Sequence, residues 1–202
     1  ADVVTSTFTS ADDSITATDS TLGAGDVLVD TSSTDSDTLT VTMTGATANA
    51  PSTITGIENI IYNYGSIVEA NDSTIELANI IGANVTVNHT GNDLVNPNGT
   101  DIDDIGTNMT INLGTGLDST AAGDGDLAVA ASKINVTLNM GASAGTIATG
   151  ASVDGLTVNG GTGGAMTVTL GATNKNVTIN TGTANGAVTI DNTSATGTNV
   201  TT

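Results

Sequence analysis

The chain of 202 residues has no cysteine, no arginine and no tryptophan. The missing cysteine excludes disulfides, a thiol nucleophile and thiolate metal sites. Two lysines stand against 21 acids, for a formal net charge of −19. Nucleic acids and anionic membrane surfaces call for basic patches, so neither is an expected partner, and cations are. Aromatics make up 1% of the chain, namely Phe8, Tyr62 and Tyr64. A thick core draws on aromatics for volume, so this composition points to a thin core of Val, Ile, Leu and Ala. No apolar run approaches the ~20 residues of a helical membrane span, and no signal peptide is recognisable. Proline is confined to Pro51 and Pro97.

What the chain does have is a phrase of hydrophobic–Thr–hydrophobic–polar residues. It occurs as Val85-Thr86-Val87-Asn88, Met109-Thr110-Ile111-Asn112, Val136-Thr137-Leu138-Asn139, Leu156-Thr157-Val158-Asn159 and Met166-Thr167-Val168-Thr169. It returns as Val177-Thr178-Ile179-Asn180 and Val188-Thr189-Ile190-Asp191, and Val200-Thr201 begins another. Strict alternation of β-branched residues is the mark of a short strand, and the Gly, Asn, Ser and Thr that follow are turn formers. The best helical segment, "STIELANIIG", is a poor one because of its Ile and Asn content. A polar low-complexity chain can also stay disordered, but the regular alternation argues against that.

A short strand cannot bury its apolar face alone, whereas stacked copies can. The expected fold is therefore all-β: a parallel β-helix or β-solenoid with two short strands per coil and a coil of about 20–24 residues. Val85, Met109, Val136, Val177 and Val188 should lie in core rows, with Thr outward and Asn laddered at corners. The competing arrangement is an antiparallel sandwich, in which 176–180 would pair with 187–191 as a hairpin. The chain divides into an acidic, less regular β region, 1–75, and solenoid repeats over 76–202.

Nineteen of the 21 acids lie at or before Asp126, and 18 of them all are Asp. Short carboxylates in Gly-rich loops suit hard cations, and Ca²⁺ takes 6–8 oxygens from carboxylates and turn carbonyls. The candidate ligands are Asp12 and Asp13, Asp26, Asp30, Asp35 and Asp37, Asp101, Asp103 and Asp104, and Asp118, Asp124 and Asp126. The plainer reading makes these turn caps and solubilising groups.

Asp37-Thr38-Leu39-Thr40-Val41 and Ile57-Glu58-Asn59-Ile60, following an acidic Gly/Asp turn, resemble the calcium-binding repeat regions of RTX-type secreted proteins and bacterial S-layer proteins. "GTGLD" (114–118) and "GDGD" (123–126) echo their glycine-rich nonapeptide, although no full nonapeptide is present. The resemblance covers 1–126. It implies a Ca²⁺-loaded extracellular β-roll or β-helix at the cell surface, assembling into a layer or filament.

Other chemistry is thinly represented. His89, the one histidine, lacks a nucleophile-elbow signature, so a surface or ladder role is expected of it. A β-helix polysaccharide lyase or hydrolase is the alternative function, but adjacent Asp103 and Asp104 would face opposite ways on a strand, and Arg and Trp for sugar binding are absent. Asn-x-Ser/Thr sequons occur at Asn71, Asn84, Asn88, Asn98, Asn108, Asn135, Asn176, Asn192 and Asn199, and the phrase itself generates them. Lys133 and Lys175 are expected at the surface. The expected role is a non-enzymatic, secreted structural protein forming homo-oligomers or polymers, with cell-surface polysaccharide as a further partner. A sheet edge at Val200 would pair with Val3-Val4 and Phe8 of the next copy.

Overall fold

The computed structural model describes residues 8–23, 25–43, 53–64, 73–89, 100–113, 127–141, 145–162, 165–182, 187–192 and 200–201. Every described regular element is a strand, and every pairing between strands is parallel. The chain is a β-solenoid.

Its longest sheet has nine strands: β1 (Ser14–Thr18), β3 (Thr38–Met43), β5 (Asn59–Tyr64), β8 (Asn84–His89), β10 (Thr110–Leu113), β12 (Thr137–Asn139), β14 (Thr157–Asn159), β16 (Val177–Asn180) and β18 (Val200–Thr201). The second sheet has six: β6 (Ser73–Glu76), β9 (Thr100–Ile105), β11 (Leu127–Val129), β13 (Gly145–Thr149), β15 (Met166–Thr169) and β17 (Val188–Asp191). The repeated phrase therefore alternates between sheets late in the chain. Val177-Thr178 pairs with β14 and β18, whereas Val188 pairs with Met166, which rules out the hairpin and the antiparallel sandwich.

A third, short sheet joins β2 (Val27–Val29), β4 (Thr53–Thr55) and β7 (Ile80–Ile81). The segment 73–82 thus supplies β6 and β7 rather than a helix. Farther along, the third side dwindles to single bridges linking Ile134, Asp154 and Lys175. Coil length varies from 20 residues (Thr137 to Thr157) to 27 (Thr110 to Thr137), because added residues go into the connections while register is kept. One correction concerns alignment. Val85 stands opposite Ile111, not Met109, so the phrase slips by two residues between β8 and β10. A two-residue slip keeps every side chain on its own face, so the core row survives.

The core is a stack of rows, one aliphatic per coil. Leu39, Ile60, Val85, Ile111, Leu138, Val158 and Ile179 are aligned by register along the long sheet, and all are fully buried. Facing rows on the second sheet include Ile102, Leu127, Ile147 and Val168. Val136, Met109 and Val177 are buried as expected, and Val188 is half-buried against the same core. Tyr62 is the one aromatic among the fully buried side chains described.

Corners are set by backbone chemistry. Asn108, Asn135 and Asn176 have φ of 55°, 56° and 50°, and Gly82 and Gly155 take the same register position with φ of 67° and 72°. Asn and Gly are the residues that enter the left-handed region most readily. Outside the core, Asn side chains form a ladder: Nδ2 of Asn139, Asn159 and Asn180 each donates to Oδ1 one coil back, on Asn112, Asn139 and Asn159, at 2.7, 2.7 and 2.6 Å.

Truncating a row residue should cost far more than truncating an outward neighbour. Leu138→Ala is expected to lose about 2–5 kcal/mol, whereas Thr137→Ala should stay within about 1 kcal/mol. Thermal or urea unfolding of the two variants checks this.

Candidate metal centre

The residue immediately before each long-sheet strand forms a column. The N–H of Thr38, Asn59, Asn84, Thr110, Thr137, Thr157 and Thr178 bonds in turn to the carbonyl of Asp13, Asp37, Glu58, Ala83, Met109, Val136 and Leu156. From Ala83 onward the column is apolar and fully buried. In the first three coils the same inward position holds Asp13, Asp37 and Glu58. The position that is aliphatic along most of the solenoid is thus acidic in these coils, with Asp37 buried and Asp13 and Glu58 half-buried.

The short sheet repeats the substitution. On β2, Leu28 points inward, and the residues two places either side of it, Asp26 and Asp30, are also buried, each 7% exposed. Between Asp30 and Asp37 the chain inserts the loop Thr31–Ser36, whereas the next coil passes from Gly56 to Glu58 through Ile57 alone. The loop returns Asp35 and Asp37 to Asp30, and one carboxylate oxygen from each of the three lies within 4.8 Å of the others.

The hydrogen bonds around this cluster are incomplete. Asp37 is 0% exposed. Its Oδ1 accepts the Asp13 N–H at 2.8 Å, but its Oδ2 has no partner. Both oxygens of Asp35 are withdrawn from solvent and likewise unpartnered. Asp30 Oδ2 accepts the Ser32 N–H at 2.9 Å, which pins the start of the loop. Glu58 accepts the Asp37 N–H at 2.9 Å, and Asp12 accepts the Ser36 N–H at 2.9 Å. Burial pushes the Asp37 carboxyl above the ordinary aspartate range; the Asp13 N–H lowers it, and the charges of Asp35, Asp30 and Asp13 raise it further.

Three carboxylates with an oxygen of each within 4.8 Å of the others, and with three unpartnered oxygens on Asp35 and Asp37, are unfavourable as they stand. A buried charge without a partner is costly, and like charges at this separation repel. A hard cation among them would offset the repulsion and give the unpartnered oxygens a partner, and carboxylate donor sets are those of Ca²⁺ and Mg²⁺. Gly56 closes the adjacent wall. Its φ is +75°, and a Cβ there would fall 2.3 Å from the Asp30 carbonyl oxygen, so no other residue fits.

The other expected ligands lie elsewhere. Asp26 Oδ2 accepts the Gly23 N–H at 2.7 Å and closes its own turn, outside the cluster. Asp13 and Asp12 serve the cluster through the backbone bonds above, and Asp13 Oδ2 holds the Thr9 N–H at 2.7 Å. Asp103 lies on β9, opposite Glu76 of β6, away from the loop. Asp101 and Asp104 are also on β9, with side chains outside the description, and Asp118, Asp124 and Asp126 fall outside the described residues. Glu58 went unrecognised because "IEN" reads as strand; the acid preceding the strand at both Asp37 and Glu58 was the available signal. His89 ends β8 opposite Tyr64. Lys175 is exposed and Lys133 half-exposed. Val3 and Val4 lie outside the described residues. No family model, curated protein or solved structure matches the chain.

Asp37→Asn provides a test by crossover. The amide keeps an oxygen for the Asp13 N–H and removes one buried charge. In chelator the variant should melt at or above the wild type, because repulsion is relieved. In millimolar Ca²⁺ the wild type should melt higher, because only it retains the full donor set. Melting curves in the two buffers, without such a crossing, would remove the cation from the account.

Proposed function

We propose that this protein is a structural β-solenoid of the cell exterior, fastened at its acidic end by calcium and acting by self-assembly into a layer, filament or stalk. The observation that carries the proposal is the place where its titratable groups converge. Asp30, Asp35 and Asp37 meet inside the wall of the solenoid, two of them buried and one half-buried, where a polysaccharide chain cannot reach. Catalytic carboxylates must flank a scissile bond, so this cluster suits an ion rather than a glycosidic substrate. Charge supports the same reading. With a net charge of −19, assembly of copies calls for cations to offset repulsion. Ca²⁺ fits better than Mg²⁺ because a loop of irregular carboxylates and carbonyls tolerates variable geometry, and Mg²⁺ demands near-ideal octahedra. The resemblance of 1–126 to RTX-type and S-layer proteins agrees with an exported, calcium-rich setting.

An ion that binds only the folded chain stabilises it by mass action, by about 2.7 kcal/mol at a hundredfold excess over its Kd. Calcium should therefore raise the melting temperature and shift the mass distribution toward oligomers in sedimentation. A melting curve and a mass that are both indifferent to chelator would contradict this function.

A further inference from the structure

We infer that the outer face of the long sheet is the surface through which two copies of this chain associate, face to face; the inference rests on the self-assembly proposed above and specifies where it occurs. None of the nine strands carries Asp, Glu, Lys or Arg. The second sheet, by contrast, includes Glu76, Asp103 and Asp191. In a chain of net charge −19, like-charge repulsion opposes contact through any acidic side. The strands of the long sheet offer a broad face on which two copies can meet without placing carboxylate against carboxylate, with Asp12 and Asp19 only at its edges beside β1.

Its chemistry and size suit the task. Thr110, Thr137, Thr157 and Thr178 form one outward row, and Asn112, Asn139, Asn159 and Asn180 form the next. The Asn amides already bond along the ladder, which fixes their rotamers before any partner arrives. Flat parallel sheets with short, identical, laddered side chains interdigitate as dry interfaces. Nine strands at about 4.8 Å span about 38 Å, and the strand lengths give a width of about 10–20 Å. The face offers about 500 Å² per copy, or about 1,000 Å² for a pair, which reaches the threshold for a specific interface. A pair of identical faces makes a closed two-fold contact, so this face would form the paired unit, and a layer or filament would grow from such pairs through a second contact. The exposed aliphatics Val29 and Ile81 lie instead on the short sheet, whose line continues into Asp154 and Lys175. That strip is narrow and ends in charge.

The test compares three full-length proteins in calcium by sedimentation, each first shown by melting to be folded. Thr110→Lys with Thr157→Lys places two long side chains on the face, two coils apart. It also lowers net negative charge, so general repulsion falls. The expected result is a loss of association of about tenfold or more, the scale of a central interface substitution. Val29→Lys with Ile81→Lys alters charge equally on the other side and should associate like the wild type or better. Undiminished association of the Thr variant, or equal loss in both variants, would overturn the face assignment while leaving self-assembly in place. A wild type that stays monomeric at high concentration would overturn both. Should the Thr–Lys variant fail to fold, Asn139→Lys alone carries the same expectation and the same refutation.

Discussion

One inward position governs this molecule: the residue just before each strand of the long sheet. Its carbonyl receives the next coil's first N–H, and from Ala83 to Leu156 its side chain is buried in the core. Ala83, Met109, Val136 and Leu156 fill the position with hydrocarbon, and those coils gain the usual benefit of apolar burial. Asp13, Asp37 and Glu58 place carboxylates there, Asp37 buried and the other two half-buried, and the Asp37 carboxylate needs partners. The backbone supplies one, since the Asp13 N–H caps Asp37, and Glu58 caps the Asp37 N–H. The orphan oxygens of Asp35 and Asp37 show what the backbone leaves undone. The aliphatic rows run through both ends, with Leu39, Val41, Ile54 and Ile60 buried in the first coils, and the acidic end adds a carboxylate cluster to that shared core.

The corners preceding that position explain a second feature of the chain. A left-handed residue is required there, and Asn108, Asn135 and Asn176 provide it. The strand then begins with the inward residue followed by outward Thr. Asn at the corner, an aliphatic in the core and Thr on the face spell Asn-x-Thr, so these sequons follow from the coil geometry. The same geometry explains the scarcity of aromatics: one aliphatic per coil in each row fills a solenoid this thin, and Tyr62 is the exception among the largest buried side chains described.

Much of this was legible in the sequence. The matched phrases gave parallel stacking, and their spacing of 10–12 residues gave two strands per coil, because period-two alternation and a fixed repeat are both set by backbone geometry. The short sheet was not legible, since strands such as Ile80–Ile81 are too brief to show alternation. The slip between Val85 and Ile111 was hidden because a two-residue shift leaves the face pattern unchanged. At the carboxylate cluster, composition grouped Asp26 with Asp30, Asp35 and Asp37, but only the loop path shows that Asp26 turns back to Gly23. Glu58 was passed over because its role depends on which coil lies beneath it.

The central claim, a cation-dependent carboxylate cluster at one end of a solenoid whose hydrophobic core runs throughout, is tested most directly by amide hydrogen exchange with and without calcium. Chelation should strip protection from residues 14–64, where the core position is acidic, while residues 137–180 remain protected. Protection that changes uniformly along the chain, or is lost first from 137–180, would contradict the account.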